Sequence, residues 1–245
     1  MTRLAQPPRP LPPGRHGLPR QFVAQNQRER MLVAIVSAVS EKGYQATTVE
    51  DVVRGSGVSR KTFYEQFKNK EDCFLAAYDE LVGRLVATVD QAYHAQTGWQ
   101  ARAVAAVGAL LEFFASEPEA AQIGMIEVMA AGPVALERYR LAQRGFTVYL
   151  QETAERSSYT EDISRDAALA AIGGMAAVIA EMVREGKTRQ LPAIRDEVAT
   201  FGLAFFVGSA EAQRAVEVAR AELEGVPEVQ SAAASVSRER GTIRA

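Results

Sequence analysis

The placement of proline constrains this chain more than any other feature. Six of the ten prolines lie within residues 1–20, and the other four stand singly at Pro118, Pro133, Pro192 and Pro227. A proline inside a helix removes a backbone hydrogen bond and clashes with the preceding turn, at a cost of about 3 kcal/mol or more. Helices must therefore lie between these positions, and the proline-free reaches 21–117 and 134–191 have room for several each. Within them apolar residues recur every three or four positions, with no alternating strand pattern of useful length and no internal repeat. The chain is predicted to be all-α.

The periodicity places a first helix over 26–42, with Leu32, Ile35, Val36 and Val39 on one face and Gly43 as its stop. A short second helix starts from one of two overlapping capping boxes, Thr47 with Glu50 or Thr48 with Asp51, and closes at Gly55-Ser56-Gly57. Ser59 caps a third helix. Asn69 with Asp72 starts a long fourth, striped by Phe74, Ala77, Tyr78, Leu81 and Leu85 and reaching about Tyr93. Further helices are predicted over 99–116, 119–131, 134–157, 165–186 and 193–223. Residues 1–22 read as an extended basic, Pro-rich arm and 224–245 as a loose polar tail. That leaves a small helical domain at 23–70 and a larger one at 71–223.

The net charge of −2 hides an asymmetry. Residues 1–70 hold twelve Lys and Arg against five Asp and Glu, while the remainder holds 16 basic against 25 acidic residues. One end faces a polyanion and the other is a solvated acidic body. Cys73 is the only cysteine, so no intrachain disulfide forms, which fits a reducing cytoplasm. Residues 1–30 contain no apolar signal-peptide core, and the longest uncharged run, Ala167 to Ala180, is too short to span a bilayer. The expectation is a cytoplasmic, nucleoid-associated protein with no membrane partner.

The stretch SRKTFYEQFKNKED, Ser59 to Asp72, interleaves three aromatic with four basic residues. A two-turn helix can resolve that mixture only by dividing its faces. Val58, Phe63 and Phe67 fall inward, and Arg60, Lys61, Thr62, Tyr64 and Lys68 are left to face outward, where a major groove fits them. Three short helices, a glycine turn between the second and third, and a long fourth helix follow helix-turn-helix logic.

The run from Arg28 to about Tyr78, above all TTVEDVVRGSGVSRKTFYEQFKNKED, resembles the DNA-binding domain of the tetracycline-repressor (TetR/AcrR) family. Gly55-Ser56-Gly57 departs from it where Ala-Ala-Gly is more usual. The resemblance covers about fifty residues; the rest of the chain matches only in length, helix count and helix order. It implies that Thr47 or Thr48 and Ser59 meet DNA phosphates at helix starts, and that Arg60, Lys61 and Thr62 reach base edges. Tyr64 would pack on the sugar-phosphate backbone, and Lys70 would clamp a phosphate. It also implies a homodimer on double-stranded operator DNA, built from the last two long helices. Gly173, Gly174, Gly202 and Gly208 there offer close approach. Trp99, Phe113, Phe114, Met125, Met129, Tyr139 and Met175 are candidates to line a cavity for an apolar small-molecule effector. Core packing is the competing reading for each of them.

Enzymatic chemistry has little to stand on. The two histidines are His16, in the arm, and His94, at a helix end. No HExxH, phosphate-binding glycine loop or serine elbow is present, and no cofactor or metal is expected. Cys73 sits on the apolar side of its helix and reads as packing. The reading is a DNA-binding transcriptional regulator, most simply a repressor released by an apolar effector. An activator, an effector-independent or architectural DNA-binding protein and a helical-bundle enzyme are the alternatives.

Overall fold

The computed structural model describes residues 19–157 and 164–223. The predicted C-terminal tail, and all of the predicted arm before Pro19, lie outside the described residues.

Every element among the described residues is helical. They are α1 (Arg20–Lys42), α2 (Val49–Ser56), α3 (Arg60–Gln66), α4 (Lys70–His94), α5 (Trp99–Ser116), α6 (Pro118–Gln122), a π-helical turn (Ile123–Glu127) and α7 (Val128–Ala130). Then come α8 (Pro133–Arg156), α9 (Arg165–Arg184), a 3-10 turn (Thr188–Ile194), α10 (Arg195–Val207) and α11 (Ser209–Leu223). Three boundaries differ from the sequence expectation. α1 begins at Arg20 rather than near Asn26, because Pro19 precedes its first turn and obstructs nothing there. The predicted helix 119–131 is interrupted by the π turn. The predicted helix 193–223 is broken at Gly208, whose φ of 77° only glycine adopts without strain.

α1 buries Met31, Ile35 and Val39 completely and packs against α2 and α4. α3 contributes Phe63, fully buried, and Phe67 beside it, with Val58 packed at the edge. Cys73 is also fully buried, with its Sγ 4.0 Å from the Met31 carbonyl. This apolar core does not stop at the predicted domain boundary. It continues through Phe74, Leu81 and Leu85 of α4 into α5, the π turn and α9, as far as Leu191. A second cluster joins α5, α10 and α11 through Ala101, Val104, Leu203 and Val216. The 25 residues of α4 span about 37 Å and so link one end of the molecule to the other.

α9 and α10 approach closely within the chain. A Cβ on Gly174 would come 2.6 Å from Cε1 of Phe201, and one on Gly202 would come 3.0 Å from Sδ of Met175. α9 is the one described helix long and apolar enough, by composition, to cross a bilayer, and only a third of its apolar window is buried. Its outer side carries exposed Val178, and α10 exposes Phe201 and Phe205.

Replacing Phe63 by Ala should cost about 3–5 kcal/mol, since it empties a fully buried site. Replacing its exposed neighbour Tyr64 should shift stability by no more than about 0.5 kcal/mol. Thermal unfolding of both variants checks the division of α3 into two faces.

Candidate functional site

Local capping fixes the first three helices. Of the two capping boxes in the sequence, Thr48 with Asp51 is the one that forms. The Thr48 hydroxyl accepts from the Asp51 amide at 3.3 Å, and the Asp51 carboxylate accepts from the Thr48 amide at 2.8 Å. Thr47 is buried instead, and its hydroxyl donates to the Gly43 carbonyl at 2.8 Å. Asp51 also receives the Lys42 ammonium at 2.6 Å and pairs with Arg54. The Lys42 hydrogen bond first, then those from Thr48, hold the Asp51 carboxyl well below the usual carboxylate range. Gly57 (φ 64°) turns the chain between α2 and α3, and Arg30 donates to the Ser56 carbonyl behind that turn.

Ser59 caps α3 by accepting from the Thr62 amide at 3.0 Å, and its hydroxyl lies 2.8 Å from that of Thr62. Arg60, Lys61, Tyr64 and Lys68 are exposed and Thr62 is partly so. The Arg60 guanidinium sits 5.8 Å from the Tyr64 ring centre. With the exposed Thr48 at the start of α2, these side chains form one basic, hydroxyl-bearing surface. Lys70 stands apart from it. Its ammonium donates to the Tyr44 carbonyl at 2.8 Å and lies 4.1 Å from the centre of the Tyr44 ring.

Tyr44, in the α1–α2 turn, is where the helix-turn-helix end is fastened to the rest of the fold. Its amide donates to the Glu127 carboxylate at 2.8 Å, and its ring meets Phe74 edge-on at 4.9 Å. Next to it, the Gln45 side chain donates to the Ala130 carbonyl at 2.7 Å. Glu127 is held in turn by Gln122 at 3.0 Å. The same π turn that supplies Glu127 supplies Gly124 and Met125 to the wall of a cavity.

That cavity, about 130 Å³, lies among α4, α5, the π turn, α8, α9 and α10, and its lining is almost wholly apolar. On α4 it runs from Tyr78 to Val89, about 16 Å at the helical rise, so it is long and narrow. Of the seven candidates named from sequence, Phe114, Met125, Tyr139 and Met175 line it. The other three stand elsewhere. Trp99 packs on the second apolar cluster, Phe113 lies under the Arg84 guanidinium at 5.3 Å, and Met129 is exposed. Leu81, Leu85, Phe146 and Ile179 also line the cavity. Their sequence signal is only that of ordinary helix cores, so spacing alone could not single them out. No group of His, Cys, Asp and Glu able to hold a metal occurs among the described residues. Burial pushes the Cys73 thiol far up its scale, which removes it as a nucleophile.

A capped two-turn helix with a basic outer face, docked on a glycine turn, makes a helix-turn-helix unit joined to a cavity-bearing helical body. Residues 32–77 match the family model of the bacterial regulatory proteins of the tetR family. Over 87 residues it is 31% identical to the transcriptional activator FasR of Mycolicibacterium smegmatis, covering 36% of this chain and 40% of FasR. The chain thus matches less than half the length of that curated relative. Across the whole fold it is similar to FadR of Bacillus halodurans, with a TM-score of 0.65 and 19% identity over 74% of this chain and 95% of FadR. It is similar as well to FadR of Bacillus subtilis in complex with stearoyl-CoA, with a TM-score of 0.64 and 17% identity over 73% and 97%.

Asp51 gives the site a pH signature. Its carboxyl is depressed in the folded state, so its stabilising contribution is present above the unfolded carboxyl pKa of about 4 and is lost as pH falls below it. Asp51→Asn should therefore melt below wild type at neutral pH, and the gap should close on acidification. A gap that stays constant down to acid pH would remove Asp51 as the electrostatic hub of α2.

Proposed function

We propose that the chain is a homodimeric, ligand-responsive transcriptional regulator, which binds a near-palindromic operator and releases it when a long apolar ligand fills the cavity. The observation that carries this reading is the π turn, which offers Met125 to the cavity and Glu127 to the turn that carries α2 and α3. A ligand that moves the cavity wall therefore moves the DNA-reading end. The likeness to a FadR solved with stearoyl-CoA supports a long acyl chain as the ligand class. The apolar lining supports the same class.

On DNA, Arg60, Lys61 and Thr62 take base edges, Thr48 and Ser59 take phosphates at helix starts, and Tyr64 and Lys68 take the flanking backbone. Two copies of α3 reach successive major grooves about 34–36 Å apart when the exposed Val178, Phe201 and Phe205 of each copy are buried against the other. Gly174 and Gly202 contribute to that face indirectly, by seating α10 on α9 within each copy. Activation in place of repression is the second reading, favoured by the name of FasR, and a promoter-fusion reporter with and without ligand separates the two.

Lys61→Ala should cost about 1–3 kcal/mol of operator affinity and relax sequence preference, whereas Lys68→Ala should weaken binding to all sequences about equally and flatten the log–log salt slope by about one unit. Equal affinity for operator and random DNA at every salt concentration would overturn the regulator reading. Phe201→Asp with Phe205→Asp should give monomers in light scattering and abolish two-half-site binding. A fatty-acyl ligand should weaken operator binding about 5–150-fold, and operator should weaken ligand binding by the same factor.

A further inference from the structure

The cavity is closed on most sides by buried apolar packing, including Leu81 and Leu85 of α4, Phe114 of α5, Met175 of α9 and Leu203 of α10. The seam between α4 and α8 is built differently. The two helices run parallel, with contacting residues 59 or 60 positions apart. Arg138 pairs with Asp79, the Tyr149 hydroxyl donates to Asp90 at 3.3 Å, and the Tyr93 hydroxyl lies 3.4 Å from that of Thr153. The first two are polar bridges at the surface, eleven residues apart on each helix, or about 16 Å. Burial first and the Asp90 charge next push the Tyr149 hydroxyl up to about 12, so it remains a donor to Asp90.

Between the bridges the same register sets Gly83 opposite Ala142 and Val86 opposite Gly145. Gly83, Val86 and Gly145 are exposed, and a Cβ on either glycine would meet no atom within 4 Å. Glycine in mid-helix is unfavourable, and here neither glycine serves a close approach. Directly beneath lie Val82, Ala142 and Phe146, all partly buried and all part of the cavity lining. α4 touches α8 sparsely compared with its long contact on α5. The seam is thus lined by glycines between two surface bridges of a kind that contributes little to stability and breaks readily.

We propose that the ligand passes into the cavity sideways, through the slot between the Asp79–Arg138 and Asp90–Tyr149 bridges, and that Gly83 and Gly145 keep this slot open for an unbranched apolar chain. This rests on the cavity being the effector site. It uses helices other than the α9–α10 face given to the dimer, so uptake and dimerisation do not compete.

The experiment measures uptake and release of cis-parinaric acid, a linear fluorescent fatty acid, by stopped flow on the full chain. Gly83→Leu and Gly145→Leu fill the slot with a better helix former and leave the cavity lining alone. Both rates should fall about tenfold together, with equilibrium affinity little changed. As a second arm, Asp79→Cys with Arg138→Cys is bridged by a short bismaleimide, which spares Cys73 because that thiol is buried. The bridged protein should exchange ligand as slowly as the leucine variants, while the same protein capped with a monofunctional maleimide should not. Asp79→Asn should speed both rates. Wild-type rates in the leucine variants and in the bridged protein would overturn the slot while leaving the effector reading intact. A wild-type protein that takes up no fatty acid at all would overturn the effector reading and the slot with it.

Discussion

The structure depends on the backbone of one residue, Tyr44. A turn between two helices exposes amide and carbonyl groups that must find partners, and at Tyr44 the turn's own Thr47 amide, 3.2 Å from the carbonyl, is joined by groups from the π turn and α4. Glu127 takes the amide and Lys70 gives to the carbonyl, while Phe74 takes the ring. Charged partners make these hydrogen bonds stronger than neutral ones. Because α2 and α3 hang from this turn, their orientation is set by the π turn on one side and by the first turn of α4 on the other. Rotation of the DNA-reading surface relative to the body must break or drag at least one of these contacts.

Lys70 takes on a meaning different from the one its position implied. A lysine at the first turn of a long helix, next to a DNA-reading unit, is well placed to clamp a phosphate. Here its ammonium is partly desolvated, which lowers its pKa, and it is spent on the Tyr44 carbonyl and ring. The role this supports is positioning of the α1–α2 turn. The glycines of α9 and α10 change meaning in the same way. Gly174 and Gly202 admit Phe201 and Met175 of their own chain, so the apolar surface left exposed there is made of phenylalanine and valine.

What the sequence by itself determined was everything written in consecutive residues. Helix periodicity, the caps at Ser59 and Asn69, the glycine turn at Gly57 and the inward set of Phe63 and Phe67 all follow from geometry that repeats within a turn or two. Tertiary structure decided whatever depends on distant residues meeting. Phe113 and Phe114 are neighbours of identical chemistry, and only the surrounding helices place one under Arg84 and the other at the cavity. Thr47 and Thr48 offered equal capping boxes until the Gly43 carbonyl claimed one hydroxyl. The Glu127–Tyr44 contact and the two bridges between α4 and α8 join residues 59 to 83 positions apart. No local spacing encodes such a meeting, because it is fixed by how whole helices pack and not by the rotation from one residue to the next.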